Sequence, residues 1–142
     1  MGVPTYKSSV LITRAYRVVR SKVYECLDGH DLNATQWSIM GVVYEAENGI
    51  SLSEVAKAIG VKKPLVTLLV DKLVDNQILK RTANEFDSRS KLLFMKPQGI
   101  SLMHELESSL QEILSPLFLG VTDHSFDVYL NVLSTVVDNQ GN

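Results

Sequence analysis

The sequence predicts a mainly α-helical fold with one small β-hairpin projecting from it. Three observations carry that prediction. Apolar residues recur every three or four positions along six segments. Over residues 78–97 the period shifts to two, as strands require. Asn, Ser, Gly and Pro punctuate the intervals between these segments, where helices start and stop.

The first helix is predicted over 6–28, with Val10, Ala15, Val19, Val23 and Leu27 on one face. Arg14, Arg17 and Lys22 belong largely to another, and Gly29 is expected to end it. Asn33 and Gln36 have capping-box spacing, in which the first side chain accepts from an orphan amide and the second returns a bond. They open a helix over about 34–47, packed by Trp37, Met40, Val43 and Tyr44 and stopped by Asn48-Gly49.

Ser51 and Glu54 repeat the pattern before a short helix carrying Leu52, Val55, Ala56 and Ile59, which Gly60 ends. Pro64 is tolerated in a first turn, where its missing N–H is no loss, so the next helix covers about 63–76. Leu65, Leu69 and Leu73 recur on its buried side, broadened by Val66 and Val70.

ILKRT and RSKLLFMKP then read as two strands joined by the polar ANEFDS, a hairpin too wide for a two-residue turn. Pro97 and Gly99 are expected to break the chain before a helix over about 101–119. That helix carries Leu102, Leu106, Leu110, Ile113 and Leu117, and Pro116 bends or ends it. A last helix over about 123–138 carries Phe126, Tyr129, Leu130, Leu133 and Val137.

With 142 residues, 45% of them hydrophobic, the chain fits one compact domain elaborated by additional helices. A single cysteine, Cys26, excludes an intramolecular disulfide and any Cys-rich metal pattern, which suits a reducing compartment. The start, MGVPTYKSSV, lacks the charged-then-apolar layout of a signal peptide. No apolar run approaches the roughly 18 residues of a membrane span, and a cytoplasmic location is expected. Tyr6 stands where a myristoylation motif needs Ser or Thr.

The net charge of −2 hides a strong asymmetry. Residues 1–53 balance, residues 54–96 hold nine basic against five acidic side chains, and residues 97–142 hold six acids and no Lys or Arg. Phosphate responds to the local field, so a basic middle segment can work within an acidic protein.

A short helix, a Gly-containing connection and a second helix have the dimensions of a helix-turn-helix, and the hairpin behind them makes it a winged one. The second helix fits the major groove, which is about 12 Å wide. Lys63, Thr67 and either Lys72 or Asp71 are expected on its outward side, with Lys62 at its start. Lys62 and Lys63 position the duplex, and Thr67 contributes readout as a donor or through its methyl. In the hairpin, Arg89 stands beside Ser90 and Lys91, a cation slender enough for an A·T-rich minor groove. Asp87 would be repelled by phosphate. Its expected job, shared with Arg81, is to shape the wing, either by pairing with a nearby Arg or by accepting backbone amides. The bland alternative for the same lysines is a solvated basic face.

Taken together, LNATQWSIM, SLSEVAKAIGVKKPLVTLLVDKLVDNQILKR and DSRSKLLFMKPQG resemble the MarR family of winged-helix regulators over nearly the whole chain. Asp87, Arg89 and Gly99 fall in the family's Asp-x-Arg…Gly pattern. The resemblance implies a dimer of intertwined terminal helices (1–31 and 100–142) around a DNA-binding region (32–99). It also implies a repressor released from a palindromic operator by a small, often aromatic or phenolic, compound or by cysteine oxidation. Departures are Leu68 where many members have Arg, Gln77 in place of Gly, and Met95-Lys96 in place of Leu-Thr. The terminal helices are apolar enough to make dimerisation a physical expectation as well, since a lone chain would leave that surface in water.

The implied effector crevice lies between the terminal helices and the DNA-reading core. Tyr16, Trp37, Tyr44 and His104 are its candidate lining, with Arg14 or Arg17 able to meet an acid. Cys26, near Arg20 and Lys22, is a candidate redox sensor or a buried structural cysteine. His30, His104 and His124 form no metal-ligand spacing, and no nucleophile elbow, Walker loop or dinucleotide fingerprint is present, so neither metal, cofactor nor catalysis is expected. A constitutive DNA binder and a winged-helix protein-interaction module remain the alternatives.

Overall fold

The computed structural model describes residues 2–141. Met1 and Asn142, the outer ends of the expected dimerisation region, lie outside them. Six α-helices and three short strands run in the order α1 (Thr5–Asp28), α2 (Ala34–Glu45), β1 (Ile50–Ser51), α3 (Leu52–Ile59), α4 (Lys63–Asp75), β2 (Leu79–Ala83), β3 (Lys91–Met95), α5 (Pro97–Leu114) and α6 (Asp123–Asp138). A 3-10 turn, Ser115–Phe118, links the last two helices.

Local chemistry accounts for most boundaries. Asn33 accepts from the Gln36 amide at 2.8 Å, and the Gln36 side chain accepts from the Asn33 amide at 3.0 Å, so both halves of the capping box form. Ser51 and Glu54 do the same for α3. Gly60 closes α3 in the left-handed conformation (φ 68°), which only glycine adopts without steric cost. At the end of α1 the left-handed residue is Asp31 (φ 55°), whereas Gly29 stays right-handed.

Three expectations about helix limits and faces are corrected. Pro97 and Gly99 do not break the chain: Pro97 sits in the first turn of α5, where its lack of an amide hydrogen is harmless. The helix therefore starts four residues early and stops at Leu114, ahead of Pro116. Leu65 is 45% exposed, because the inward face of α4 is Val66, Leu69, Val70 and Leu73. On α2, Ile39 joins Met40 and Val43 inside while Tyr44 turns outward.

A β-strand that the sequence reading missed completes the sheet. Ile50–Ser51 pairs antiparallel with Leu92–Leu93, making β3 the central strand of the order β1-β3-β2. Two residues are too few for an alternation signal. The core gathers Leu27, Ile39, Met40, Val55, Val66, Leu73, Leu79, Leu93 and Leu106, joining α1 to the helix-turn-helix and both to α5. By contrast, α6 buries no residue at all.

Candidate nucleic-acid interface

The interface starts from the turn between α3 and α4. The Val61 amide donates back to Ala56 at 3.1 Å, and Lys62 caps α4 by backbone geometry alone, with no side-chain bond. Its ammonium is thus left exposed at the helix entrance. Four apolar side chains hold α4 inward, and Lys63, Pro64, Leu65 and Leu68 stand out into solvent. Thr67 is half-buried. Its hydroxyl donates to the Lys63 carbonyl at 3.0 Å, so the expected donor is engaged within its own helix.

The wing is organised by two short side chains. Asp87 Oδ1 accepts from the Arg89 amide at 2.9 Å and lies 3.6 Å from Arg89 Nε, so both roles left open for Asp87 are filled by one carboxylate. Asn84 accepts from the Phe86 amide at 3.0 Å and donates to the Ser90 hydroxyl at 3.0 Å, pinning the opposite side of the loop. Asn84 was not anticipated as a wing residue, although Asn in a polar connection is a turn signal. The side chain of Arg89 stays 92% exposed.

Arg81 does not reach Asp87. It bonds Asp71 on α4, so strand β2 is tied to the helix rather than to the wing tip. Lys63, Arg81, Arg89, Ser90 and Lys91 border one recess of about 280 Å³, together with Ser51 and Ser53 at the start of α3. Lys72 does not join them. It lies on the other flank of α4, in a recess of about 440 Å³ beside Asp28, Asp31 and Asp75. Its neighbours there are acidic, unsuited to meeting a phosphate.

The candidate effector residues separate into three places. Tyr44 Oη and His104 Nε2 are 3.1 Å apart with their rings edge to face. Trp37 borders a different cavity of about 510 Å³, whose walls include Leu110, Leu114, Phe118 and Phe126 and whose carboxylates are Glu107, Asp123 and Asp127. Arg14, Tyr16 and Arg17 lie on the exposed side of α1 and border neither. Tyr16 sits instead under the Arg20 guanidinium at 5.7 Å. That group is held above its ordinary pKa by a hydrogen bond to Tyr24, helped by electrostatic attraction to Tyr16 and Tyr24. Cys26 is free and half-buried against the core. Among the described residues no cluster suited to a metal ion occurs, and no helix is long and apolar enough to cross a membrane.

The MarR family model matches residues 32–91, which contain α2, the α3–α4 pair and the wing as far as Lys91. That segment is similar to the MarR family, and its winged helix-turn-helix has the architecture of that family. MarR-family proteins are DNA-binding transcriptional regulators and not enzymes. The fold extends beyond the matched segment. CouR from Rhodococcus jostii RHA1, solved bound to p-coumaroyl-CoA, superposes with a TM-score of 0.85 at 20% identity, over 99% of this chain and 98% of its own. A MarR-family regulator from Rhodococcus sp. RHA1 gives 0.82 at 20% identity, covering 96% of each chain. BpsR from Bordetella bronchiseptica, solved to explain regulation of its DNA binding by 6-hydroxynicotinic acid, gives 0.77 at 19% identity over 99% of each. At such identities the likeness is one of architecture: the terminal helices share the MarR-type arrangement although their sequences have diverged.

Proposed function

We propose that this protein is a MarR-type homodimeric, sequence-specific repressor that binds a palindromic double-stranded operator and leaves it when a small molecule binds. One observation carries the reading. In a protein of net charge −2, Lys63, Arg81, Arg89, Ser90 and Lys91 converge beside the outward side of α4, with Lys62 exposed at its start. A phosphate backbone running between helix and wing would meet that cluster. Arg89 then enters the minor groove, and residues 32–99 act as the DNA-binding region.

Dimerisation follows from the ends of the chain. Val128, Leu130, Val132, Val136 and Val137 on α6 are 48–63% exposed, and Leu11 and Ile12 on α1 exceed half. A second copy covers this apolar surface and sets two copies of α4 about one helical turn of DNA apart. The effector fits the Trp37 cavity. Two of the three similar structures, CouR with p-coumaroyl-CoA and BpsR with 6-hydroxynicotinic acid, are associated with aromatic compounds, which supports an aromatic ligand class. The carboxylates of Glu107, Asp123 and Asp127 favour a phenolic or cationic ring there over the aromatic acid that Arg14 or Arg17 would have met.

Selection of bound fragments from random-sequence duplexes, at two salt concentrations, tests the core of the proposal. A twofold-symmetric sequence whose affinity falls steeply with salt is expected. Titrating phenols and aromatic amines into that complex then reads effector release. A monodisperse monomer, or a complex that no ligand disturbs, removes the dimer or the sensor respectively.

A further inference from the structure

The outward side of α4 has a chemistry that its charges do not account for. Val66, Leu69, Val70 and Leu73 point inward and are 5% exposed or less. The opposite arc of the first two turns, which lead a recognition helix into its groove, carries Pro64, Leu65, Thr67 and Leu68. Leu65 is 45% exposed and Leu68 is 54% exposed. Thr67 has its hydroxyl hydrogen committed to the Lys63 carbonyl at 3.0 Å. Asp71, one turn further on, is held by Arg81. The cations sit to the sides, Lys63 with the wing cluster and Lys72 among acids on the other flank. The middle of this surface therefore offers methyl groups and no free donor, inside a basic rim.

In the major groove a guanine edge calls for donors, adenine for a donor and an acceptor, and cytosine for an acceptor, whereas thymine alone adds an apolar group, its C5-methyl. Leucines pressed against the other edges would strip water from polar atoms without replacing the lost bonds. Against a methyl they bury apolar surface on both sides. We infer that Leu68, with Leu65 beside it, determines specificity by packing on thymine methyl groups, so each operator half-site carries thymine opposite the start of α4. The occupant is double-stranded DNA, and the inference rests on the DNA-binding reading above. The basic rim supplies the charge complementarity that brings the duplex to this face.

The experiment uses the duplex selected from random sequence and replaces each thymine in turn by deoxyuridine, which lacks only the methyl. Binding of the full-length protein is followed by fluorescence anisotropy. At one or two positions per half-site, affinity is expected to fall about fourfold per methyl lost. Leu68→Ala protein should bind thymine and uracil duplexes alike at those positions, with an unchanged circular dichroism spectrum because the side chain is exposed. Leu68→Met, which keeps apolar reach, should retain the discrimination. A wild-type protein indifferent to every deoxyuridine substitution overturns the inference while leaving DNA binding intact. So does a Leu68→Ala protein that discriminates as well as wild type. Failure to enrich any duplex overturns both this inference and the reading beneath it.

Discussion

Gln77 accepts a hydrogen bond from the ammonium of Lys96, so two departures from the MarR pattern meet in space at the base of the wing. The backbone explains why they meet there. Gln77 turns the chain out of α4 in the left-handed conformation (φ 63°), and the Lys96 amide donates to the carbonyl of the adjacent Ile78 at 2.9 Å. A side chain at 77 costs about 1–2 kcal/mol of backbone strain that glycine would not. The bond to Lys96 offsets part of it. Replacing Gln77 by Gly should therefore leave thermal stability unchanged or raise it by up to about 1 kcal/mol, whereas Gln77→Val should lower it by at least about 1 kcal/mol. A Gln77→Gly protein that melts several degrees earlier would mean that the side-chain bond outweighs the strain.

The same corner makes a sharper demand at Gly99. A β-carbon there would lie 2.3 Å from the Ile78 carbonyl oxygen, an atom fixed by the turn into β2 and bonded to Lys96. Gly99→Ala is expected to cost about 2 kcal/mol or more, because backbone must move. Denaturant unfolding measures it, and a loss under about 0.5 kcal/mol would show that the corner is soft.

The Arg81–Asp71 pair joins wing to recognition helix and neutralises an acid on the face proposed for DNA. Its worth to stability is small, about 1 kcal/mol or less, since the Asp71 side chain is 54% exposed. Binding should respond more. Arg81→Met leaves Asp71 uncompensated near phosphate and should weaken operator affinity about tenfold. Adding Asp71→Asn should recover a large part of that loss. Additive effects in this double-mutant cycle would dissociate the pair from DNA binding.

Arg89 is expected to act on binding without acting on the fold. With its side chain 92% exposed, Arg89→Ala should melt like the wild type. Operator affinity should drop about tenfold, and the slope of log K against log salt should become shallower by about one, the signature of one lost counterion release. An unchanged slope would take the wing off the phosphate backbone.

Much of this protein is local in its causes, and that part is legible in the chain. Two capping boxes, a left-handed glycine after α3 and a change of hydrophobic period are each set by residues within about four positions of one another. They predicted six helices and a winged helix-turn-helix, while the resemblance to MarR rests on motifs such as Asp87-x-Arg89 and Gly99. Where three-dimensional packing decided, sequence reading failed in a consistent way. It put Leu65 inside, because period alone does not say which arc of α4 meets the core. It grouped Trp37 with Tyr16, Arg14 and Arg17, which stay on the exposed side of α1, whose buried residues are Val23 and Leu27 near its far end. It could not pair Arg81 with Asp71, ten residues away, or Gln77 with Lys96, nineteen away. Short-range hydrogen bonds and periodicity determine which elements form. Which charges meet across them is a property of their packing, and only the folded chain brings those groups within reach.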